Sequence, residues 1–326
     1  MNTIELLAAF KEQSARIDAV MEADLAIVKS PLLAEIIRHA IFQGGKRIRP
    51  QLTLLAASLI GPPPADTARL AISFEYLHAA SLLHDDVIDH AALRRGAETA
   101  NTIWGMEPVI LAGDYLHAHA MALAGEVGGP EAMALIGRAT AAMVESEFLQ
   151  MHNAQEILIS EENYFSVLMG KTAALIAAAC EAGIAHNHGS DKQRIALRTY
   201  GTNLGLAFQI VDDLLDYLGE PAKTGKAVGN DFQEGKMTLP LIKTLEQADT
   251  SDRELLVGLL KATPSERSGK LAAAHALIDK YHGFTLARAQ AESLLEEAQA
   301  GLAVFGETPA RAPLTGLARY VLSRDK

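Results

Sequence analysis

The chain has 326 residues, 49% hydrophobic and 5% aromatic, with a formal net charge of −11. The length allows one large domain or two smaller ones, and the apolar half is enough for a sizeable core. The acidity excludes a general nucleic-acid surface, so anionic substrates would need local cations, either metals or clustered Lys and Arg.

Met1–Asp18 carries Glu5, Lys11, Glu12 and Arg16 among its apolar residues, which excludes the uncharged stretch of a secretory signal. Asn2–Ala19 reads as a helix, serving as a cap on a bundle or as an oligomer contact. Pro31–Gln43 follows at helical length and ends on Gly44-Gly45. Next come Lys46, Arg47 and Arg49 in the run 44–50. Glycines let backbone approach an anion closely, and Lys and Arg donate to phosphate oxygens. The run lacks the Walker A spacing, and the plain alternative is a basic helix start.

Gly61-Pro62-Pro63-Pro64 marks a turn before the helix-length segment Ala65–Asp89, which closes on Asp85, Asp86 and Asp89. Arg94-Arg95-Gly96 lies just past it. Gly128-Gly129-Pro130 separates the next break from the segment Glu131–Asn153. Ser160 is placed to cap a helix over Glu161–Ala182, with Glu161 and Glu162 in its first turn. That segment holds Lys171-Thr172 and the single cysteine, Cys180. A lone cysteine forms no internal disulfide, so Cys180 reads as a small core residue in a reducing, cytoplasmic setting. Asp191–Leu218 carries the second cluster, Asp212, Asp213 and Asp216, and Lys226 and Lys236 follow it. No segment reaches membrane-span length without a charge or a helix breaker. With alternating β patterns nearly absent, the reading is all-α, one domain over 1–326, with ten or more helices.

The two aspartate clusters share the form D-D-x-x-D inside apolar helices, which suggests related halves of a bundle facing one cavity. On a helix, Asp85 and Asp89 are i,i+4 neighbours, and Asp86 sits about 100° away. Asp212, Asp216 and Asp213 repeat the arrangement. Two carboxylates one turn apart repel each other, and their flanks are apolar, so a positive group should sit between them. Hard oxygen ligands at this spacing suit Mg²⁺ completed by waters and substrate phosphates. His84 adjoins the first cluster, but a zinc site would want more His or Cys. The plain alternative is a charged patch at each helix exit.

Taken together, these residues resemble the trans-prenyltransferases, the head-to-tail polyprenyl diphosphate synthases, from about Gly44 to Leu241. The resemblance rests on G-G-K-R-x-R-P at 44–50, H-x-x-S-L-x-x-D-D-x-x-D at 78–89, R-R-G at 94–96 and G-D-Y-L at 113–116. It continues with K-T at 171–172, F-Q-x-x-D-D-x-x-D at 208–216 and G-K-x-x-G-x-D at 225–231. It implies a large helix bundle of the isoprenoid synthase type with a central cavity, usually a homodimer. By the same resemblance Asp85, Asp86 and Asp89 would hold two Mg²⁺ ions on an allylic diphosphate. Asp212, with Asp213 and Asp216 nearby, would hold a third. Arg94, Lys171 and Lys226 would clamp that diphosphate. Lys46, Arg49, His78 and Arg95 would bind isopentenyl diphosphate. Gln209 and Thr172 would lie near the reacting allylic carbon. The released diphosphate is expected to take the proton, so no side-chain base is required.

Ala80 and Ser81, one turn before Asp85, would line the hole into which the product grows. Short-chain members tend to place bulky aromatics there, so this small pair points to a long, octaprenyl-like product of the kind used in quinone side chains. Leu77 and Phe74 lie further down the same helix. Ser146-Glu147-Phe148-Leu149-Gln150 departs from the family's G-E-x-x-Q by its Ser, and Phe148 narrows the tunnel if it faces inward. The alternatives are a short-chain farnesyl or geranylgeranyl synthase, a terpene cyclase, a head-to-head condensing enzyme and a non-catalytic subunit. The second D-D-x-x-D argues against the cyclase. The basic run at 44–50 argues against the cyclase and the head-to-head enzyme. The filled motif positions argue against the subunit. Release of so apolar a product implies at most peripheral membrane contact.

Overall fold

The computed structural model describes residues 2–94, 96–154, 156–219 and 228–324. Among these the chain is helical almost throughout, as its Ala- and Leu-rich composition favours. The only strands among the described residues are β1 (Leu93–Arg94) and β2 (Ala97–Glu98), an antiparallel pair with Leu93 opposite Glu98. The helices used below are α1 (Thr3–Asp24), α2 (Pro31–Phe42), α3 (Ile48–Ala57), α4 (Thr67–Ile88), α5 (Ala100–Trp104) and α6 (Met106–Asn153). They continue with α7 (Glu161–Leu168), α8 (Ala174–His186) and α9 (Asp191–Leu218). After these come α10 (Asn230–Glu234), α11 (Leu239–Gln247), α12 (Thr250–Leu260), α13 (Pro264–Ser268), α14 (Leu271–Lys280), α15 (Gly283–Gly301) and α16 (Arg311–Leu322). The expected break at 128–130 is present: α6 is kinked at Gly129, whose φ of 68° and ψ of −165° leave the helical region just before Pro130.

By its contacts the chain divides into two compact units. One comprises Met1–Arg138, Ala178–Arg198 and Val304–Gly316; the other comprises Ala139–Ala177, Thr199–Ala303 and Leu317–Lys326.

In the first unit, α1 opens on a reciprocal cap: Glu5 N donates to the Asn2 side chain, and Asn2 N donates to the Glu5 carboxylate, both at 2.9 Å. Its buried stripe of Leu6, Phe10, Ile17 and Met21 packs within the unit, where α1 meets α3 and α4. Each such side chain contributes about 1.5–3 kcal/mol by leaving water. Arg47, with φ of 46°, closes the turn into α3. It is buried, and its guanidinium reaches Asp18 at 2.7 Å, Glu75 at 3.1 Å and the Ile41 carbonyl at 2.7 Å. Arg47 therefore ties α1, α2 and α4 together.

In the second unit, Ser160 caps α7 by accepting from Asn163 N at 3.1 Å, as expected. Residues Met169–Ala173 then widen into a π-helical turn before α8. Gly201 and Gly205, one turn apart on α9, lie against Ala177 and Ala173, where any Cβ would collide with backbone. That close approach brings the next residue on the ridge, Gln209, beside Thr172. The continuous run 161–186 is long and apolar enough to cross a membrane by composition, but 78% of its most apolar window is buried in the protein. It reads as core. Cys180, on the same run, is buried, and burial pushes its thiol well above the ordinary range.

Candidate active site

The first aspartate cluster closes α4. Asp85 is half-buried, Asp89 is exposed at the C-cap, and Asp86 is buried, as the 100° offset requires. Arg94, on β1, donates from Nε and Nη2 to Asp86 Oδ1 at 2.8 and 2.7 Å. A cation does sit at the cluster, and it is a guanidinium on the middle carboxylate. A cleft beside this pair is lined by His39, Gln43, Leu82, Asp86, Arg94 and Glu98. His84 turns to the Ile110 carbonyl at 3.2 Å, in space that Gly113 leaves open: a Cβ there would strike the imidazole. The glycine of the G-D-Y-L motif thus makes room for a histidine that packs toward α6.

Upstream of α3, Gly44 and Gly45 take φ of 92° and 144°, which a side chain would resist. The turn is pinned at the Lys46 carbonyl, which accepts from Gln51 Nε2 at 2.6 Å and Ser14 Oγ at 3.1 Å. Lys46 is exposed at that pinned turn. Arg49 is half-buried and its buried Nε has no hydrogen-bond partner. Burial lowers its pKa, opposed by Glu75. A buried guanidinium N–H without an acceptor fits a position that an oxyanion would complete. His78 is half-buried on α4, and the Ser81 hydroxyl donates to its carbonyl at 2.9 Å. Arg95 and Lys226 lie outside the described residues.

The second cluster lies on α9 in the other unit. Asp212 accepts from Arg324 Nη1 at 2.7 Å, and that guanidinium also stacks over the Phe208 ring at 4.6 Å. Asp213 is buried and accepts from Tyr164 Oη at 2.7 Å and Gln209 Nε2 at 3.2 Å. Burial and the nearby Asp231 push its pKa up to about 7, while both hydrogen bonds favour the ionised form. Asp216 Oδ2 accepts from Asp231 N at 3.0 Å; burial and Asp231 raise its pKa also. Lys236 pairs with Asp231 at 3.2 Å and with Glu234 at 2.8 Å.

In the same unit Lys171 and Thr172 occupy the π-helical turn, a distortion frequent at functional sites. Lys171 Nζ donates to Glu147 Oε2 at 2.9 Å and Gln150 Oε1 at 3.1 Å. Thr172 Oγ1 donates to Gln209 Oε1 at 3.3 Å. The Ser in Ser146-Glu147-x-x-Gln150 is accommodated because Gly170 faces it; a Cβ on Gly170 would collide with the Ser146 side chain and the Ala142 carbonyl. Phe148 is 69% exposed, so the condition under which it would narrow a tunnel is not met. Sequence reasoning missed Glu147 and Gln150 as partners of Lys171, and missed Tyr164 and Arg324 altogether. The i,i+3 pair of Glu147 and Gln150 was a usable signal for the first two. Nothing local marks the others.

The donor set fits Mg²⁺. Among the described residues no three His, Cys, Asp or Glu side chains gather into a ready cage. Hard carboxylates offered one or two at a time suit an ion that keeps waters and takes its remaining ligands from phosphate.

Comparison with known proteins agrees with this chemistry. A family profile described as polyprenyl synthetase matches residues 30–278. A short chain isoprenyl diphosphate synthase of Methanothermobacter thermautotrophicus is 35% identical over 99% of both chains. The octaprenyl diphosphate synthase of Escherichia coli is 33% identical over 90% of this chain and 91% of its own. The crystal structure of a decaprenyl diphosphate synthase from Rhodobacter capsulatus superposes with a TM-score of 0.89 at 38% identity, over 99% of each chain. Product lengths in these names differ at similar identity. The chain belongs to the polyprenyl synthetase family, the trans-isoprenyl diphosphate synthases, and is an all-α prenyltransferase of the isoprenoid synthase fold.

Proposed function

We propose that this prenyltransferase adds isopentenyl diphosphate to an allylic diphosphate repeatedly, giving a long-chain all-trans product of the octaprenyl kind and diphosphate. The observation that carries the length is the pair Ala80 and Ser81, one turn before Asp85. Ala80 is buried, Ser81 is half-buried, and the Ser81 hydroxyl is folded back on the His78 carbonyl. Neither of the two side chains is bulky. A second reading has its own observation. Phe74 is fully buried on the same face as Ser81 and Asp85, and 11 residues before Asp85 places it about 16 Å down the axis. A floor at that depth stops the chain early, at the geranylgeranyl kind.

In this reading Asp85, Asp86 and Asp89 would hold two Mg²⁺ ions and Asp212, with Asp213 and Asp216 nearby, a third, which would supply positive charge against the leaving diphosphate. Arg94, Lys171 and Lys226 clamp the same group, with Glu147 and Gln150 aiming the Lys171 ammonium. Lys46, Arg49, His78 and Arg95 hold isopentenyl diphosphate, the unpaired Arg49 Nε being the donor that most needs its oxygen. Gln209 and Thr172 present oxygen dipoles at the allylic carbon, and positioning of the second substrate's double bond supplies much of the rate. The chain acts as one domain over 1–326 and as a homodimer. An exposed stripe of Val144, Phe148 and Met151 on α6 supports the dimer, and the lone buried Cys180 suits a cytoplasmic setting.

The test is a product assay with farnesyl diphosphate and labelled isopentenyl diphosphate, sizing the dephosphorylated chains. A ladder ending in a long polyprenol that shortens in Ser81→Phe is expected. Products that stop at geranylgeranyl in the wild type, or a length indifferent to Ser81→Phe, would overturn the long-chain reading.

A further inference from the structure

One chain of hydrogen bonds in the second unit joins a tyrosine outside every motif to two residues assigned to the reacting carbon. Tyr164 Oη donates to Asp213 Oδ2 at 2.7 Å, and Gln209 Nε2 donates to Asp213 Oδ1 at 3.2 Å. Thr172 Oγ1 donates to Gln209 Oε1 at 3.3 Å. Tyr164 and Asp213 are both buried, so water does not compete for the bond between them.

The direction of each bond matters more than its length. Asp213 Oδ2 already accepts the Tyr164 proton, and its Oδ1 accepts from the nitrogen end of the Gln209 amide. The oxygen end is thereby turned the other way, where the Thr172 hydroxyl meets it. Rotating the amide by half a turn would set its oxygen against Asp213 Oδ1 and its NH₂ where the oxygen had been. Beside a developing allylic cation these two states are opposite in effect. The carbonyl oxygen offers the negative end of a dipole, and the NH₂ offers the positive end. A phenol has one proton to give. By giving it to Oδ2, Tyr164 fixes the rotation of the Asp213 carboxylate and so keeps Oδ1 facing the amide. The Tyr164 ring is itself held edge-on by Phe165, with centroids 5.4 Å apart.

We propose that Tyr164 is a positioning residue for the condensation: acting through Asp213, it holds the Gln209 amide with its carbonyl oxygen toward the allylic carbon. The inference rests on the placement of Gln209 at that carbon in the proposed function. It also makes Asp213 an orienting group, which leaves the third metal to Asp212 and Asp216.

The experiment is a mutant cycle on the Mg²⁺-loaded, full-length enzyme. kcat, both KM values and the Mg²⁺ half-saturation are measured for wild type, Tyr164→Phe, Gln209→Ala and the double variant. Tyr164→Phe is expected to lower kcat about ten- to a hundredfold, the scale of a small misplacement at a reacting centre. Both KM values and the Mg²⁺ half-saturation are expected to stay within about twofold, because no ground-state contact is removed. In the Gln209→Ala background Tyr164→Phe is expected to change kcat by less than about twofold, since its effect passes through the missing amide. Equal losses in both backgrounds would assign Tyr164 a merely structural role and overturn the inference. A Mg²⁺ half-saturation raised about tenfold would make Asp213 a direct ligand and overturn it as well. Should Tyr164→Phe lose its fold by circular dichroism, Asp213→Asn takes its place in the same cycle. A wild type that elongates no primer would instead remove the functional reading itself.

Discussion

The two aspartate clusters are nearly identical as text and different as chemistry. On α4 the guanidinium lands on the middle carboxylate, with Arg94 against the buried Asp86. On α9 it lands on an outer one, with Arg324 against Asp212, and the middle Asp213 is satisfied by two neutral donors. A charged partner and a pair of neutral donors both let a carboxylate be buried. The first cluster also opens outward, Asp89 being exposed at the helix end, whereas Asp216 is fastened by the backbone of Asp231. The spacing D-D-x-x-D therefore fixes which side chains share a face, and the neighbours decide what each can do.

The sharpest way to break the comparison is at Asp85. If the first cluster carries the larger share of metal binding, Asp85→Ala should lower kcat by on the order of a thousandfold, the scale of losing a preorganised charge-stabilising group. Condensation rates at saturating Mg²⁺ measure it. A loss of less than about tenfold would mean that the α4 cluster is dispensable and that the asymmetry runs the other way.

A second expected effect lies in stability against pH. Asp213 has its pKa pushed from 3.8 to about 7, so between those values the folded state holds a proton that the unfolded state has released. Stability must then fall as pH rises through that window and level off above it; Asp216, shifted in the same direction, adds to the slope. The share from Asp213 is on the order of a few kcal/mol across the window. Asp213→Asn should flatten the fall. The variant also disturbs the bonds to Tyr164 and Gln209, but that offset is independent of pH, so the slope is the quantity to read. Denaturant unfolding in EDTA at pH 5, 6, 7 and 8 measures it, and equal slopes in both proteins would sink the assignment.

Much of this was legible in the sequence, for identifiable reasons. Asp191–Leu218 emerges with its expected bounds, and Ser160 caps its helix as expected, because periodicity and cap chemistry are local. The separation of Asp85 and Asp89 from Asp86 follows from helical geometry alone. What was hidden is what distant residues contribute. Arg47 sits in a run that reads as phosphate-binding, yet its partners Asp18 and Glu75 lie in other helices and make it a core tie. Tyr164 lies seven residues before Lys171 with no pattern to mark it, and its partner is 49 residues away. Glu147 and Gln150 invited a reading about product length, whereas their side chains hold Lys171. Spacing within one element could be read; a partner on another element could not.

The smallest expected effect tests whether the guanidinium on the outer carboxylate matters. Arg324 and Asp212 are 18% and 36% exposed, so solvent screens their pair and it contributes no more than about 1 kcal/mol. An ion taken up by Asp212 must displace Arg324 or share the carboxylate with it, and either costs part of that energy. Arg324→Gln should therefore tighten Mg²⁺ half-saturation by up to about fivefold, the equivalent of about 1 kcal/mol. Mn²⁺ titration with inorganic diphosphate, followed by calorimetry, reads it apart from turnover. Arg94 offers the internal contrast, since it binds the middle aspartate and does not contend for Asp85 or Asp89. A half-saturation that instead loosens in Arg324→Gln would show that Arg324 belongs with the cations that hold the diphosphate. The α9 cluster would then use its guanidinium as the α4 cluster is proposed to use Arg94, and the difference between them would shrink to the buried middle residue.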